Sequence, residues 1–91
     1  MAVTVRLPIV LRPFANGEKL VPTDGATVGD VVVELIAKFP GMKPNLLGDD
    51  GLLHRFVNVY VNDDDVRYLD KMATELVDGD ELSILPAVAG G

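Results

Sequence analysis

A single amphipathic helix, predicted between Thr27 and Pro40, limits the folds open to this chain. Six apolar residues recur at helical spacing and form one continuous stripe: Val28, Val31, Val32, Leu35, Ile36 and Phe39. Thr27 followed by Asp30 resembles a capping box, and Pro40 with Gly41 ends the helix. One such helix covers only one face of a sheet, so the other face must meet solvent.

Alternating apolar residues before the helix predict a β-hairpin. In the first segment one side carries Val3, Val5, Leu7 and Ile9, and the other carries Ala2, Thr4, Arg6 and Pro8. A turn at Asn16-Gly17 leads to a short second strand at residues 19–21. These two strands are expected to pair with each other.

The sequence after the helix predicts a short helical turn and loop, then two or three further strands. Residues 42–53 form the turn and loop, and Val57, Val59 and Val61 point inward from the next strand. Residues 66–69 are interpreted as a short edge strand. After a turn at residues 78–80, Leu82 and Ile84 point inward from the last strand.

This order of elements predicts an α+β fold of the β-grasp (ubiquitin-like) type. The final strand has to find a place beside the first, and a parallel pairing of the two gives a mixed four- to five-stranded sheet packed on one helix. Residues 1–85 are predicted to form this single domain. Residues 86–91 are predicted to form a flexible C-terminal tail that ends in Gly-Gly.

Composition excludes several classes of function. The 91 residues contain no cysteine, which removes disulfides, thiolate metal sites and cysteine nucleophiles. The net charge of −6 argues against nucleic acid as a partner. The apolar runs are too short to span a bilayer, and no signal peptide is recognised at the N-terminus, so we expect a cytoplasmic protein without membrane partners.

No catalytic or metal-binding set is recognisable, so the chain is not expected to be an enzyme. The one histidine, His54, has no triad partner in the sequence and is interpreted as a loop or surface residue. The acidic run at residues 63–65 lacks the glycine and distal glutamate of a calcium loop and is interpreted as a solvated turn. Residues 48–51 lack the spacing and lysine of a phosphate loop. Any ATP must therefore be held by a partner.

The tail is the part of the sequence that points to chemistry. Gly90 and Gly91 have no Cβ, so this end can be threaded into a slot too narrow for other residues. A C-terminal carboxyl group has an ordinary pKa of about 3.3–3.7, so it is an anion ready for activation. The six residues from Pro86 reach roughly 15–20 Å when extended. Activation of the Gly91 carboxylate by another protein is the predicted chemistry.

Three segments of the sequence resemble one known family. They are VTVRLPIVLRP at residues 3–13, LHRFVNVYVNDDDVR at residues 53–67 and ILPAVAGG at residues 84–91. Together they resemble the ubiquitin-like bacterial sulfur carriers of the MoaD/ThiS family. The ending is shared with small subunits of molybdopterin synthase, whereas the middle segment resembles the actinobacterial branch that serves cysteine biosynthesis.

The resemblance implies a specific sequence of reactions on Gly91. An E1-like adenylating enzyme would use ATP to adenylate its carboxylate, and sulfur would replace the adenylate to leave a thiocarboxylate. That group would attack an aminoacrylate bound to PLP in a cysteine synthase that uses O-phosphoserine. Rearrangement would leave cysteine in amide linkage to Gly91, and a metalloprotease would hydrolyse that amide to release the cysteine. The carrier itself would bind no cofactor, because ATP and PLP belong to the partner enzymes.

Outward-facing apolar residues predict a docking surface for these partners. Phe56, Tyr60 and Leu85 are assigned to the face of the sheet away from the helix, and Val88 and Ala89 on the tail are expected to bind at the active-site mouth. The alternative is that residues 42–54 fold over the three sheet residues.

Three other functions remain open from the sequence. A molybdopterin-synthase small subunit or a thiamine sulfur carrier would use the same tail chemistry. A ubiquitin-like modifier would join the activated tail to lysines. A non-covalent binding module would not need Gly90 and Gly91 at all.

Overall fold

The computed structural model describes residues 2–51, 53 and 57–86, without the side chain of Pro86. Its strands are β1 (Ala2–Arg6), β2 (Leu20–Asp24), β3 (Val57–Val61), β4 (Asp64–Asp65) and β5 (Glu81–Pro86), and its α-helices are α1 (Val28–Lys38) and α2 (Lys43–Leu46). Short 3₁₀ helices occupy Ile9–Ala15, Pro40–Met42, Val66–Tyr68 and Lys71–Ala73. The strands form one sheet in the order β2-β1-β5-β3-β4.

The sheet is mixed because β1 and β5 are parallel, while every other pairing is antiparallel. The predicted α+β fold of β-grasp type is therefore confirmed, with five strands and one main helix. The strand β5 reaches Pro86, one residue beyond the predicted domain boundary. Residues 87–91 lie outside the described residues, so the predicted flexibility of the tail stays a prediction.

Helix α1 forms where its sequence predicts and packs as predicted. The Thr27 hydroxyl accepts a hydrogen bond from the backbone N–H of Asp30 at 3.2 Å. The stripe faces the sheet: its first four residues are buried, and Ile36 and Phe39 pack against the core. Just before the helix, a Cβ at Gly25 would lie 2.8 Å from the backbone nitrogen of Val31, so the turn from β2 into α1 has no room for a side chain.

The predicted hairpin is present, and its second strand is longer than expected. Asn16 and Gly17 turn the chain with φ of 57° and 82°, and β2 then continues to Asp24. This strand contains Pro22, which is compatible with an edge position because an edge strand leaves one row of N–H groups unpaired. The Lys38 ammonium donates to the carbonyl of Pro22 at 2.7 Å and so ties α1 to this edge.

The inward assignment of Ile9 is wrong. The chain leaves the strand at Pro8 and enters a 3₁₀ helix, in which the N–H of Leu11 donates to the carbonyl of Pro8 at 3.0 Å. This turn buries Leu11 and Ala15 and leaves Ile9 74% exposed. The inward alternation therefore holds for Val3, Val5 and Leu7 and ends before Ile9.

The predicted edge strand at residues 66–69 is also wrong. The edge strand beside β3 is β4, Asp64–Asp65, and residues Val66–Tyr68 form a 3₁₀ helix. Its cap is the carboxylate of Asp65, which accepts from the N–H of Arg67 at 2.9 Å. The inward-pointing Val66 is buried in this turn rather than in a strand.

The remaining inward assignments are confirmed. Val59, Val61, Leu82 and Ile84 are buried, and Val57 is half-buried at the edge of the core. The segment after α1 contains Pro40–Met42 and α2, followed by loop, as predicted. Among the described residues, no helix is both long and apolar enough to cross a membrane.

Candidate functional site

The strand that leads into the tail, β5, is held on both sides. It pairs with β1 through residues 81–83 and with β3 along residues 82–86. Asn62 fixes its start: the N–H of Asn62 donates to the carbonyl of Glu81 at 2.7 Å, and the Asn62 side-chain oxygen accepts from the N–H of Glu81 at 3.2 Å. The tail thus leaves a central strand, paired with β3 up to Pro86 and with β1 up to Ser83, rather than a strand at the sheet edge.

One row of side chains crosses the solvent face of all five strands. The strand registers place these residues at the same level, from β2 through β1, β5 and β3 to β4: Leu20, Arg6, Ser83, Tyr60 and Asp65. All five belong to the alternating set that points away from α1. Ser83 has the smallest side chain of the five and lies in the middle, so the surface of the row is lowest at β5.

An open depression of about 260 Å³ lies on this face beside Ser83. Tyr60 and Leu85 line it together with Asn62, Asp63 and Ser83. Leu85 is 44% exposed and Tyr60 is half-buried. The structure therefore brings Tyr60 and Leu85 together on the face away from the helix, as the sequence predicts.

Other predicted site residues lie outside the described residues. They are Phe56 on the approach to β3 and Val88, Ala89, Gly90 and Gly91 on the tail. His54 also lies outside them. The roles of these residues remain predictions.

Ion pairs flank the depression on both sides. On β1 and β5, Arg6 Nε lies 3.1 Å from Glu81 Oε1. On the other side, Arg67 Nη2 lies 3.1 Å from Asp65 Oδ2 and donates to Asn58 Oδ1 at 2.6 Å. Hydrogen bonds from the Arg67 side chain and backbone lower the pKa of Asp65, so this carboxylate stays ionised. The charges of Arg6, Glu81, Asp65 and Arg67 are therefore balanced in pairs within the protein.

Sequence reasoning missed these rim residues for a physical reason. Arg6 was assigned outward, but its pairing with Glu81 depends on the parallel register of β1 and β5. Arg67 follows Asp65 by two residues, and that local spacing was a usable signal for a capped turn.

The site has the composition of a docking surface rather than of a catalytic centre. Its middle is small or apolar and its rim is polar, as in protein interfaces. Within the part of the chain that the structure describes, no group of three histidine or acidic side chains could hold a metal ion. Asp63 and Asp64 are exposed beside the turn after β3, which agrees with the predicted solvated turn.

Comparison with known proteins supplies the decisive observation. The family model described as the ThiS family matches residues 5–91. The chain belongs to the ThiS family. The predicted resemblance to the MoaD/ThiS carriers is thereby confirmed, over a match that includes the tail.

Individual proteins that are similar to this chain agree with the assignment to the ThiS family. It is 50% identical to the sulfur carrier protein CysO of Mycobacterium tuberculosis, with both chains fully covered. It also matches the crystal structure of an Amycolatopsis orientalis BexX/CysO complex at a TM-score of 0.90 and 49% identity, covering 99% of this chain and 100% of that one. The small archaeal modifier protein 3 of Haloferax volcanii is 48% identical over 75% of this chain and 73% of its own length.

Proposed function

We propose that this ThiS-family chain is a sulfur carrier protein whose reactive group is the carboxylate of Gly91. The observation that carries the proposal is 50% identity, over the whole length of both chains, to a sulfur carrier protein. The depression around Ser83 supports the proposal, because it offers a partly apolar surface on which a partner enzyme could dock. The chain would then be a substrate on which partner enzymes act.

The proposed chemistry replaces one oxygen of Gly91 by sulfur. An E1-like enzyme transfers AMP from ATP to the carboxylate and releases pyrophosphate. A sulfur donor then attacks the acyl adenylate, the carbon–oxygen bond to AMP breaks, and a thiocarboxylate remains. We further propose that a PLP-dependent cysteine synthase joins this thiocarboxylate to its aminoacrylate substrate and that an S-to-N acyl shift leaves cysteine in amide linkage to Gly91. A metalloprotease then hydrolyses that amide, which releases cysteine and restores the Gly91 carboxylate. A molybdopterin or thiamine pathway would use the same thiocarboxylate.

The fold contributes a rigid point of departure for the tail. Since β5 is paired with β3 up to Pro86 and with β1 up to Ser83, the start of the tail is fixed relative to the docking surface. Residues 87–91 can span at most about 18 Å beyond it. A partner that binds the sheet face can therefore receive Gly91 in a buried active site while the folded domain stays outside.

A second candidate function is covalent protein modification. The observation that favours it is the similarity to small archaeal modifier protein 3. Activation of Gly91 would be the same, but a lysine amine would attack the acyl adenylate and form an isopeptide bond. The two functions therefore differ in the nucleophile and not in the fold.

Intact-mass measurement tests the proposal. The protein is incubated with the E1-like enzyme of the same organism, ATP and a sulfur source. We expect a mass gain equal to the replacement of one oxygen by sulfur, located on the C-terminal peptide. In a cell lysate supplied with ATP, high-mass adducts on lysines of other proteins, without the sulfur-bearing form, would favour the modifier. Unchanged mass in both assays, with an active enzyme present, would contradict both functions.

Substitutions on the sheet face test the proposed docking surface. Tyr60→Ala and Leu85→Asp are each expected to weaken binding of the activating enzyme about tenfold or more, because both side chains line the depression. The free energy of unfolding should change by less than about 1 kcal/mol for Leu85→Asp, since Leu85 is partly exposed. Calorimetric titration measures the affinity, and chemical denaturation measures the stability.

The control for the acidic substitution is Val33→Asp. Val33 is also an exposed apolar residue, but it lies on α1, in the other layer of the fold. This variant should bind the enzyme as the wild type does. If Tyr60→Ala and Leu85→Asp also bind with unchanged affinity, the sheet face is not the docking surface.

A further inference from the structure

The 3₁₀ helix Ile9–Ala15 between β1 and β2 presents apolar side chains to solvent. Ile9 is 74% exposed, Val10 61% and Phe14 42%. We call these three residues the apolar ridge. Leu11 and Ala15 of the same helix are buried and anchor it to the core. The ridge thus consists of apolar side chains that the protein keeps at least partly out of its own core.

Hydrogen bonds hold the segment in this conformation. Arg12 Nε donates to the carbonyl of Leu7 at 3.2 Å, and the N–H of Gly17 donates to the carbonyl of Arg12 at 2.7 Å. Phe14 also packs against the main chain at Gly41, where a Cβ would lie 3.2 Å from the Phe14 ring. Exposure of Ile9 and Val10 is thus imposed by the fold around them.

The ridge stands at the end of the sheet where the tail departs. Strands β1 and β5 are parallel, with Arg6 opposite Ser83. The chain reaches Ile9 three residues after Arg6, and it reaches Pro86 three residues after Ser83. The ridge and the start of the tail therefore follow neighbouring strands in the same direction.

Because the tail is short, a partner that holds Gly91 must lie close to the end of the sheet from which the tail departs. The five residues from 87 to 91 extend at most about 18 Å, at about 3.3–3.6 Å per residue. An enzyme that holds Gly91 in its active site must therefore place the rim of that site close to the last residues of β5. The neighbouring ridge is then within the area that such an enzyme covers.

The segments around the ridge carry more basic than acidic residues, unlike the chain as a whole. Arg12 lies within the ridge segment, Lys19 follows it, and Lys43 follows Gly41 by two residues. Glu18 is the only acidic residue in segments 5–20 and 39–48. The chain as a whole carries a net charge of −6. A partner that complements this end should therefore carry acidic residues around an apolar contact.

We infer that the apolar ridge is a second docking surface for the enzyme that activates Gly91, and that it fills an apolar recess with an acidic rim beside the entrance to that active site. This inference rests on the proposed function. It concerns a surface separate from the depression around Ser83, because the ridge belongs to the connection between β1 and β2. Its role is to position the tail at the active-site entrance.

A double substitution of the ridge tests the inference. Ile9→Ser with Val10→Ser should raise the KM for adenylation about 10- to 100-fold, because two apolar side chains lose their burial in the complex. The kcat should stay nearly unchanged, since contacts far from the reacting carboxylate contribute equally to ground-state and transition-state binding. ATP–pyrophosphate exchange by the E1-like enzyme of the same organism measures both constants.

The matched control is Val33→Ser with Val77→Ser. These valines are 67% and 63% exposed and lie away from the ridge, so the KM should not change. An independent variant, Lys19→Glu, should also raise the KM and should weaken the salt dependence of kcat/KM. Thermal unfolding of each variant verifies that the domain is folded.

The outcomes separate this inference from the proposed function. If the wild type is adenylated and the ridge variant has the same KM as the control, the inference is overturned and the sulfur-carrier proposal stands. If an active enzyme does not adenylate the wild type, the proposed function fails and the inference falls with it. If sedimentation shows that the ridge joins two copies of this chain in solution, the ridge is a self-association surface and the inference is overturned.

Discussion

Deleting Gly91 is expected to reduce thiocarboxylate formation at least about 100-fold. The deletion moves the terminal carboxylate back by about 3.5 Å, the length of one extended residue. A reacting group misplaced by even 1 Å can cost about 100-fold in rate, and the paired strand β5 prevents the domain from sliding forward to compensate. Single-turnover adenylation followed by intact-mass analysis measures the effect.

The same variant should still bind the activating enzyme through the sheet face. Its affinity, measured by calorimetry, should therefore fall much less than its rate of activation. A length-preserving change in the tail, Ala87→Ser, serves as the control and should leave activation nearly unchanged. Full biological activity of a chain without Gly90 and Gly91 would contradict tail chemistry and favour a non-covalent binding module.

Replacing Leu35 by alanine should lower the free energy of unfolding by about 2–5 kcal/mol. Leu35 lies in the middle of the α1 stripe and is fully buried against the sheet. Its removal leaves a cavity, since α1 is the only main helix of the described residues and no second layer can close in from behind. Chemical denaturation, with the midpoint and slope fitted together, measures the loss.

Val33→Ala on the same helix is the control for this prediction. Val33 points to solvent, so its truncation should change the free energy of unfolding by no more than about 0.5 kcal/mol. A loss below about 1 kcal/mol for Leu35→Ala would show that the stripe does not form the core.

The helix and the parallel pairing could be predicted because their determinants are visible in the sequence. The cap at Thr27 depends on residues three positions apart, and the stripe depends on a regular period, so both are local patterns. The parallel pairing of β1 with β5 is inferred from the order of the elements, because the final strand has to find a place beside the first.

The two incorrect assignments share a physical cause. At Ile9 and at residues 66–69, alternation of apolar residues continued past the point where a local hydrogen bond turned the chain. Leu11 bonds back to Pro8 in the first case, and the Asp65 carboxylate caps the turn in the second. Such contacts compete with strand pairing but leave the hydrophobic pattern intact, so the pattern alone did not reveal them.

The row from Leu20 to Asp65 could not be predicted either. Its members come from five different strands, and their alignment depends on four registers that no single segment encodes. Tyr60 and Leu85 were found because each alternates outward within its own strand. Arg6 and Ser83 complete the row only once the strands are paired.

The two-sided pairing of β5 also determines how the protein responds to mechanical load. A force applied through the C-terminus pulls along β5, which is parallel to β1 and antiparallel to β3. The hydrogen bonds to both neighbours then bear the load in shear, instead of opening one at a time as they would when a strand is peeled from an edge. The domain is therefore expected to resist pulling at this end better than a domain whose tail follows an edge strand.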